Sequence, residues 1–238
     1  MDWEKGRAIW KQIEDILVEE IRQGVYKPGD KLPTEHELAA RFGVNRHTVR
    51  NTIASMADQQ LTRVEQGRGM FVQEPVLDYP LGERTRFSQI VSGHHRLPDK
   101  TLLNSEQLEA GGAIAEQLRI KAGTRVIRLE SVSEADGRPL AHAIHFLPAR
   151  RFDGIEALFA ERKSLTACFM AFGIDDYKRA TTRIIAQMPT GRQAQLLKQP
   201  KTRPVLVTES VDVDSDAKPI QYGLSAFASD RVQLLVND

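Results

Sequence analysis

Apolar residues recur with a helical period over about Arg7 to Gln23, where Ile9, Ile13, Ile16 and Ile21 fall toward one side. Gly24 then marks a helix end, and Lys27-Pro28-Gly29-Asp30 a turn. A second amphipathic segment opens at Thr34, which forms a T-x-x-E capping box with Glu37. Leu38, Ala39 and Phe42 give it a buried stripe, and Gly43 ends it where the chain must turn sharply. Asn45 is the N-cap of a third helix, with Val44 and Val49 placed as a hydrophobic staple. Val49, Ile53 and Met56 form that helix's apolar stripe, and Trp10 is expected to pack on the small core so defined. Two β-prone runs follow, Leu61–Val64 and Met70–Val72, around the turn Gln66-Gly67-Arg68-Gly69.

Beyond this hairpin the pattern changes. Residues 74–83, EPVLDYPLGE, carry two prolines and a glycine and read as a linker between a domain at 1–73 and a second at 84–238. In the second, Gln107–Leu118 reads as a helix, and Val126–Ala135 and Leu140–Leu147 read as strands around Asp136-Gly137. Ser164–Phe172 reads as a helix, Arg179–Gln187, Val205–Val213 and Ile220–Phe227 as strands, with a short helix near Arg192–Lys198. The predicted class is α+β with a mostly antiparallel sheet.

The polar residues of the third helix change the picture. Arg46 and Arg50 lie four apart on one face, and His47 and Asn51 repeat that spacing beside them. From residue 41 to 72 the charges are Arg41, Arg46, Arg50, Arg63 and Arg68 against Asp58 and Glu65, while the whole chain carries only +1. Such local charge fits a docking patch for a phosphate backbone rather than a diffuse polycation. Each signal alone has a bland reading, a solvated helix face or an ordinary turn. Capped helix, Gly turn, Arg-bearing helix and Arg-tipped hairpin in this order predict a winged helix-turn-helix bound to double-stranded DNA.

Composition excludes other classes. The 238 residues are 41% hydrophobic and 27% charged, as in ordinary globular chains. The lone Cys168 allows no internal disulfide and reads as a buried structural thiol. No apolar run approaches the ~20 residues that cross a bilayer, and the N-terminus lacks a signal-peptide core. A cytoplasmic protein with no membrane partner is expected. H-E-x-x-H, P-loop, nucleophile-elbow and Cys/His metal spacings are absent from the sequence. No enzyme activity, metal or cofactor is expected.

The motifs resemble a known family. LPTEHELAARFGVNRHTVR with the hairpin EQGRGMFV resembles the winged-helix domain of GntR-type bacterial transcription regulators. RFSQ at 86–89, VIRLE and ADGRPL within 126–140, FLP at 146–148 and SDRVQLLV near the C-terminus resemble the effector-binding UTRA domain of the HutC subfamily. That domain has a chorismate-lyase-like fold. NRHTVR together with DYPLGERTRFSQ is most similar to regulators of phosphonate metabolism within the subfamily.

The resemblance implies DNA contacts at Thr34, His36, Asn45, Arg46, His47, Thr48, Arg50, Gln66, Gly67 and Arg68. His36 stands where the family usually has a DNA-contacting Arg, and Asn51 where a second Arg is common. Arg46 or Arg50 is expected to read a guanine, and Thr48 and Arg68 to touch phosphate. The resemblance also implies an anion site at Arg86, Phe87, Ser88, Gln89, Ser131, Ser133, His145, Ser164, Gln221 and Phe227. Ser131 and Ser133 replace two arginines common in relatives, so Arg86 is expected to provide more of the charge. Gln221 and Phe227 stand where relatives often place Glu and Tyr, and Ser164 also reads as a plain helix cap.

Strand parity puts Ile127, Leu129, Ser131 and Ser133 on one face. A two-residue loop at Asp136-Gly137 would pair Ser131 with His142. A three-residue loop would instead bring Ala141, Ala143 and His145 to that face. Both registers fit the sequence, and the resemblance favours the second. The expected protein is a homodimeric repressor of phosphonate uptake or metabolism genes, bound to an inverted-repeat operator and modulated by a small anionic effector such as a phosphonate or phosphate ester. A regulator responding to histidine-pathway intermediates or sugar phosphates is the alternative.

Overall fold

The computed structural model describes residues 3–65, 67–73, 76–94 and 96–236. The chain divides into two compact units, Met1–Pro75 and Val76–Asp238.

The first unit contains α1 (Ile9–Arg22), α2 (Glu35–Phe42), α3 (Arg46–Asp58), β1 (Thr62–Glu65) and β2 (Gly69–Val72). Its core is built on Ile13, Leu17, Leu38, Phe42, Val49 and Met56, all buried. Two expectations are corrected here. Leu17, rather than Ile9, lies at the centre of the α1 stripe; Ile9, at the first turn, is 38% exposed. Trp3 joins the core against Phe42 (centroids 6.3 Å apart), whereas Trp10 is only partly buried and contributes its carbonyl to Thr52 Oγ1 (2.9 Å). That bond, with a second from Thr52 Oγ1 to the Thr48 carbonyl, ties α3 to α1 through a fully buried hydroxyl.

The second unit contains β3 (Leu77–Leu81), α4 (Phe87–Gly93), β4 (Pro98–Glu109), α5 (Gly112–Leu118), β5 (Arg125–Ala135), β6 (Arg138–Pro148), α6 (Ile155–Arg162), α7 (Leu165–Ala171), β7 (Lys178–Gln187), α8 (Gly191–Leu196), β8 (Val205–Val213), β9 (Pro219–Ala228) and β10 (Val232–Val236). Six strands form an antiparallel sheet in the order β4-β5-β6-β9-β8-β7, and β10 pairs β3 in parallel. The fold is α+β.

The segment expected as a linker is therefore partly structure. Glu74 and Pro75 lie outside the described residues, but Leu77 and Tyr79 are buried in a cluster with Phe227 and Val232. Pro80 is accommodated because β3 belongs to a two-stranded ribbon, paired on one side only. The helix expected over Gln107–Leu118 is confined to Gly112–Leu118, since Pro98–Glu109 is the edge strand β4. β4 is largely solvent-exposed and interrupted by a bulge at Leu103, so it lacks the alternation that marks a half-buried strand.

The β5–β6 hairpin resolves the open register. Asp136 and Gly137, both at positive φ (52° and 74°), form a two-residue turn that pairs Ala135 with Arg138. A bulge at Leu140 then shifts β6 by one residue, so Ser133 faces Ala141, Ser131 faces Ala143 and Leu129 faces His145. The short loop and the second register coexist because the bulge separates them.

The two sheet faces differ. One packs on α6 and α7 through Ile127, Leu129, Leu147, Phe152, Phe159 and Phe169, and Cys168 is buried among them. The other carries a buried ion cluster. Glu130 accepts from Arg192 Nε (2.7 Å), Arg128 Nη2 (3.1 Å) and His142 Nε2 (2.9 Å). Burial raises its pKa, but these hydrogen bonds outweigh burial and hold the carboxyl at about 2.

Candidate functional sites: a helical DNA-reading face and a polar cavity

The first site is set by its caps. Thr34 Oγ1 accepts from the Glu37 amide, and the Glu37 carboxylate accepts from the Thr34 amide (2.7 Å), so α2 starts at one defined residue. Gly43 closes it in the left-handed conformation (φ 64°). Asn45 Oδ1 then accepts from the Thr48 amide (2.9 Å) and hydroxyl (3.1 Å) to start α3. Val49, Thr52 and Met56 face inward, which leaves Arg46, His47, Arg50 and Asn51 exposed on the other side. Thr34, His36 and Asn45 are exposed beside them and Thr48 is half-buried.

Two of these side chains are held across the turn. Arg50 Nε donates to Glu35 Oε2 (2.9 Å), and Arg46 Nη2 lies 3.3 Å from His36 Nδ1. His36, itself a predicted DNA contact, thus lies against Arg46 on the exposed face. On the hairpin, Gly67 is exposed at φ 75°, and Gln66 lies outside the described residues. Gly69 is favoured by its backbone, at φ 117°, where side-chain-bearing residues are rare; a Cβ there would meet only the movable end of the Lys31 side chain. Arg68 does not extend freely; it pairs with the buried Glu65 and lies over the Phe71 ring (5.9 Å), with its side chain 44% exposed.

The second site lies in the Val76–Asp238 unit, a cavity of about 240 Å³. Its floor is one face of the sheet, where Ala141, Ala143 and Ser225 are small enough to leave space. Gly223 stands opposite His145, and a Cβ there would approach the ring to 3.1 Å from Nδ1. The roof is made by Tyr79 of β3, Phe87, Ser88 and Gln89 of α4, and Leu165, Thr166 and Met170 of α7.

Of the expected anion-site residues, Arg86, Phe87, Ser88, Gln89, Ser133, His145, Ser164, Gln221 and Phe227 line this cavity. Ser131 does not; it is fully buried with its Oγ unpartnered. Ser164 caps α7 through the Ala167 amide (3.3 Å) and borders the cavity as well. Phe227 packs on Tyr79 (centroids 5.0 Å). Arg86, expected to provide more of the charge, lines the cavity with its Nε buried and unpartnered. Its guanidinium stacks 4.5 Å from the Tyr177 ring centre and pairs with Asp176 (3.2 Å), so it is already partly neutralised.

Two further cations were missed. Arg179 of β7 donates to Asp212 (3.0 Å), which also accepts from Gln221 Nε2 (2.6 Å). Lys100 of β4 stands opposite Ser133 and extends over the Phe87 and Phe159 rings (5.5 and 5.8 Å). Burial pushes its ammonium down to about 8. His145 is buried with neither ring nitrogen bonded, and burial, reinforced by Lys100 and Arg179, pushes it down to about 3. It is therefore a neutral ring at physiological pH, with one donor and one acceptor to offer. The signal for Lys100 was its pairing with Ser133, visible only once β4 is known to be a strand.

A winged helix joined to an α+β unit with a cationic, hydroxyl-lined cavity defines a transcription regulator with an effector domain. The chain matches the model of the gntR family of bacterial regulatory proteins over residues 10–72 and the UTRA domain model over 93–233. It belongs to the GntR family, with a UTRA domain of the HutC type.

It is 40% identical to the uncharacterized HTH-type transcriptional regulator RB1450 of Rhizobium meliloti (strain 1021), over 97% of this chain and 95% of that one. Two Escherichia coli (strain K12) relatives follow: the mannosyl-D-glycerate transport/metabolism system repressor MngR (29%; 94% and 93% covered) and the probable transcriptional regulator PhnF (30%; 94% and 92%). Among solved structures, PhnF from Mycobacterium smegmatis aligns with a TM-score of 0.66 at 25% identity, covering 95% of this chain and 98% of that one. These relatives are regulators, not enzymes.

Proposed function

We propose that this GntR/UTRA regulator is a homodimeric repressor of phosphonate uptake or metabolism genes, relieved by a small anionic effector in the cavity of its second unit. It acts in the cytoplasm, where its operator is. The observation that carries the effector reading is the cavity chemistry. Arg86, Lys100 and Arg179 are set against one lining carboxylate, Asp212, and Arg86 Nε, both His145 nitrogens and Gln221 Oε1 are buried without hydrogen-bond partners. Buried polar atoms of this kind call for partners, and a polar ligand supplies them. At about 240 Å³ the cavity lies below the roughly 300–1,000 Å³ of drug-sized pockets, which favours a small ligand.

A single winged helix reads few base pairs, so specific affinity calls for two half-sites and a two-fold symmetric protein. The unpaired edge of β7 offers a second copy a surface, with Ile184 and Ile185 exposed at 45% and 52%. The resemblance and the similarity to proteins named PhnF support phosphonates. Similarity to a repressor named for mannosyl-D-glycerate supports a second reading, a carbohydrate-derived anion. In either case the effector acts only through a difference in its affinity for the DNA-bound and DNA-free arrangements.

A thermal-shift series decides between them. A ligand at a hundred times its Kd adds ~2.7 kcal/mol to the unit it binds, which raises Tm by about 5–10 °C. 2-Aminoethylphosphonate is expected to produce this rise. A rise with sugar phosphates alone would select the second reading, and no rise with any anion would reject the cavity as an effector site.

A further inference from the structure

We infer that Lys100 is the charge-fixing residue of this cavity and that its ligand is a phosphoryl or phosphonyl oxyanion. The inference rests on the cavity being the effector site. Arg86 is paired with Asp176 and Arg179 with Asp212. Lys100 is the lining cation without a carboxylate partner among the described residues. Its ammonium is aimed by two aromatic faces, Phe87 from α4 and Phe159 from α6, which attract a cation but leave its donors unused.

Serines border the cavity along with Lys100. Ser133 stands opposite Lys100 on β5, and Ser88 and Ser164 border the same cavity. A tetrahedral oxyanion can take the ammonium and several hydroxyls together, and charge-assisted bonds of this type are the strong ones. Lys100 thus gives the site its preference for a phosphorus oxyanion.

A positioned lysine of this kind leaves a pH signature. In the ligand-free cavity Lys100 titrates at about 8. The groups facing it are Arg86 before α4, His145 on β6, Cys168 on α7, and Arg179 and Asp212 across the cavity, while β5 and α6 present Ser133 and Phe159. His145 and Cys168 titrate at about 3 and about 11, outside the pH range that matters. A phosphate monoester is already dianionic above its second pKa of about 6. As pH rises from 7 to 9 the free lysine loses its proton and the ligand must restore it, so affinity falls by about tenfold.

Calorimetry on the full-length protein tests this with glycerol 3-phosphate, 2-aminoethylphosphonate and succinate. The wild type is expected to bind at least one phosphorus probe more tightly than succinate, and Lys100→Met to weaken it at least tenfold at pH 7. Lys100→Arg should retain binding at pH 7 and lose the tenfold fall at pH 9, because a guanidinium stays charged. If Lys100→Met does not fold, the Lys100→Arg pH profile decides alone. Unchanged affinity in Lys100→Met, or the same pH fall in Lys100→Arg, overturns the role of Lys100 while leaving the effector site standing. Tighter succinate binding overturns the phosphorus class. No binding of any probe to the wild type removes the effector reading and this inference with it.

Discussion

Arg46→Ala is expected to lower operator affinity by about ten- to a hundredfold per half-site while weakening binding to unrelated DNA much less. A bidentate arginine–guanine contact discriminates by about 1–3 kcal/mol, whereas loss of a phosphate contact weakens all sequences alike. The structure isolates the side chain for this test. Arg46 is exposed at the start of α3, whose entry is fixed by the Asn45 cap and whose register is fixed by Val49, Thr52 and Met56. Among the described residues its polar side-chain neighbour is the exposed His36, so alanine there leaves no buried partner unpaired. Fluorescence anisotropy on operator and scrambled duplexes at matched salt measures the two affinities. Equal losses on both would remove Arg46 from base reading.

Arg231→Ala is expected to destabilise the Val76–Asp238 unit by about 2–6 kcal/mol, since two buried carbonyls lose their donor at about 1–3 kcal/mol each while Asp230 keeps its pair with Arg203 (2.6 Å). Arg231 is 5% exposed and sits just before β10. Its guanidinium donates to the Pro139 carbonyl on β6, to the Leu197 carbonyl after α8 (2.7 Å) and to Asp230 (3.2 Å). One side chain thereby joins the β5–β6 hairpin, the end of α8 and the β3–β10 ribbon, and truncation strands two carbonyls away from water. The SDRV motif, which carried part of the family resemblance, is in this reading a structural clamp. Urea unfolding of the two proteins checks it, with a loss of unfolding free energy under ~1 kcal/mol as the contrary result.

The DNA-reading unit was legible because its signals are local. Caps, a turn glycine and a 3.6-residue stripe are all set by residues within a few positions of one another, and among the described residues the core differs from the expectation at Ile9 and Trp10. The cavity was legible as a region, through the family motifs and the parity of β5 and β6, but not as a charge distribution. Lys100 and Arg179 come from opposite edges of the sheet, β4 and β7, and only long-range pairing brings them to one face.

β4 escaped recognition because a largely exposed edge strand with a bulge has no hydrophobic period. The register of β6 was undecided because the bulge at Leu140 leaves no mark that alternation could reveal. β3 was hidden by its prolines, one of which lies inside a strand that is paired on a single side.

In the proposed function, α3 of each protomer reads an operator half-site and the dimer releases it when an anion fills the cavity. Footprinting the DNA upstream of its own gene with purified protein, with and without saturating 2-aminoethylphosphonate, tests this most directly. The account predicts protection over a short inverted repeat that fades as ligand is added. Protection that persists unchanged with phosphonates, phosphate esters and sugar phosphates alike, while calorimetry shows the cavity occupied, would contradict it.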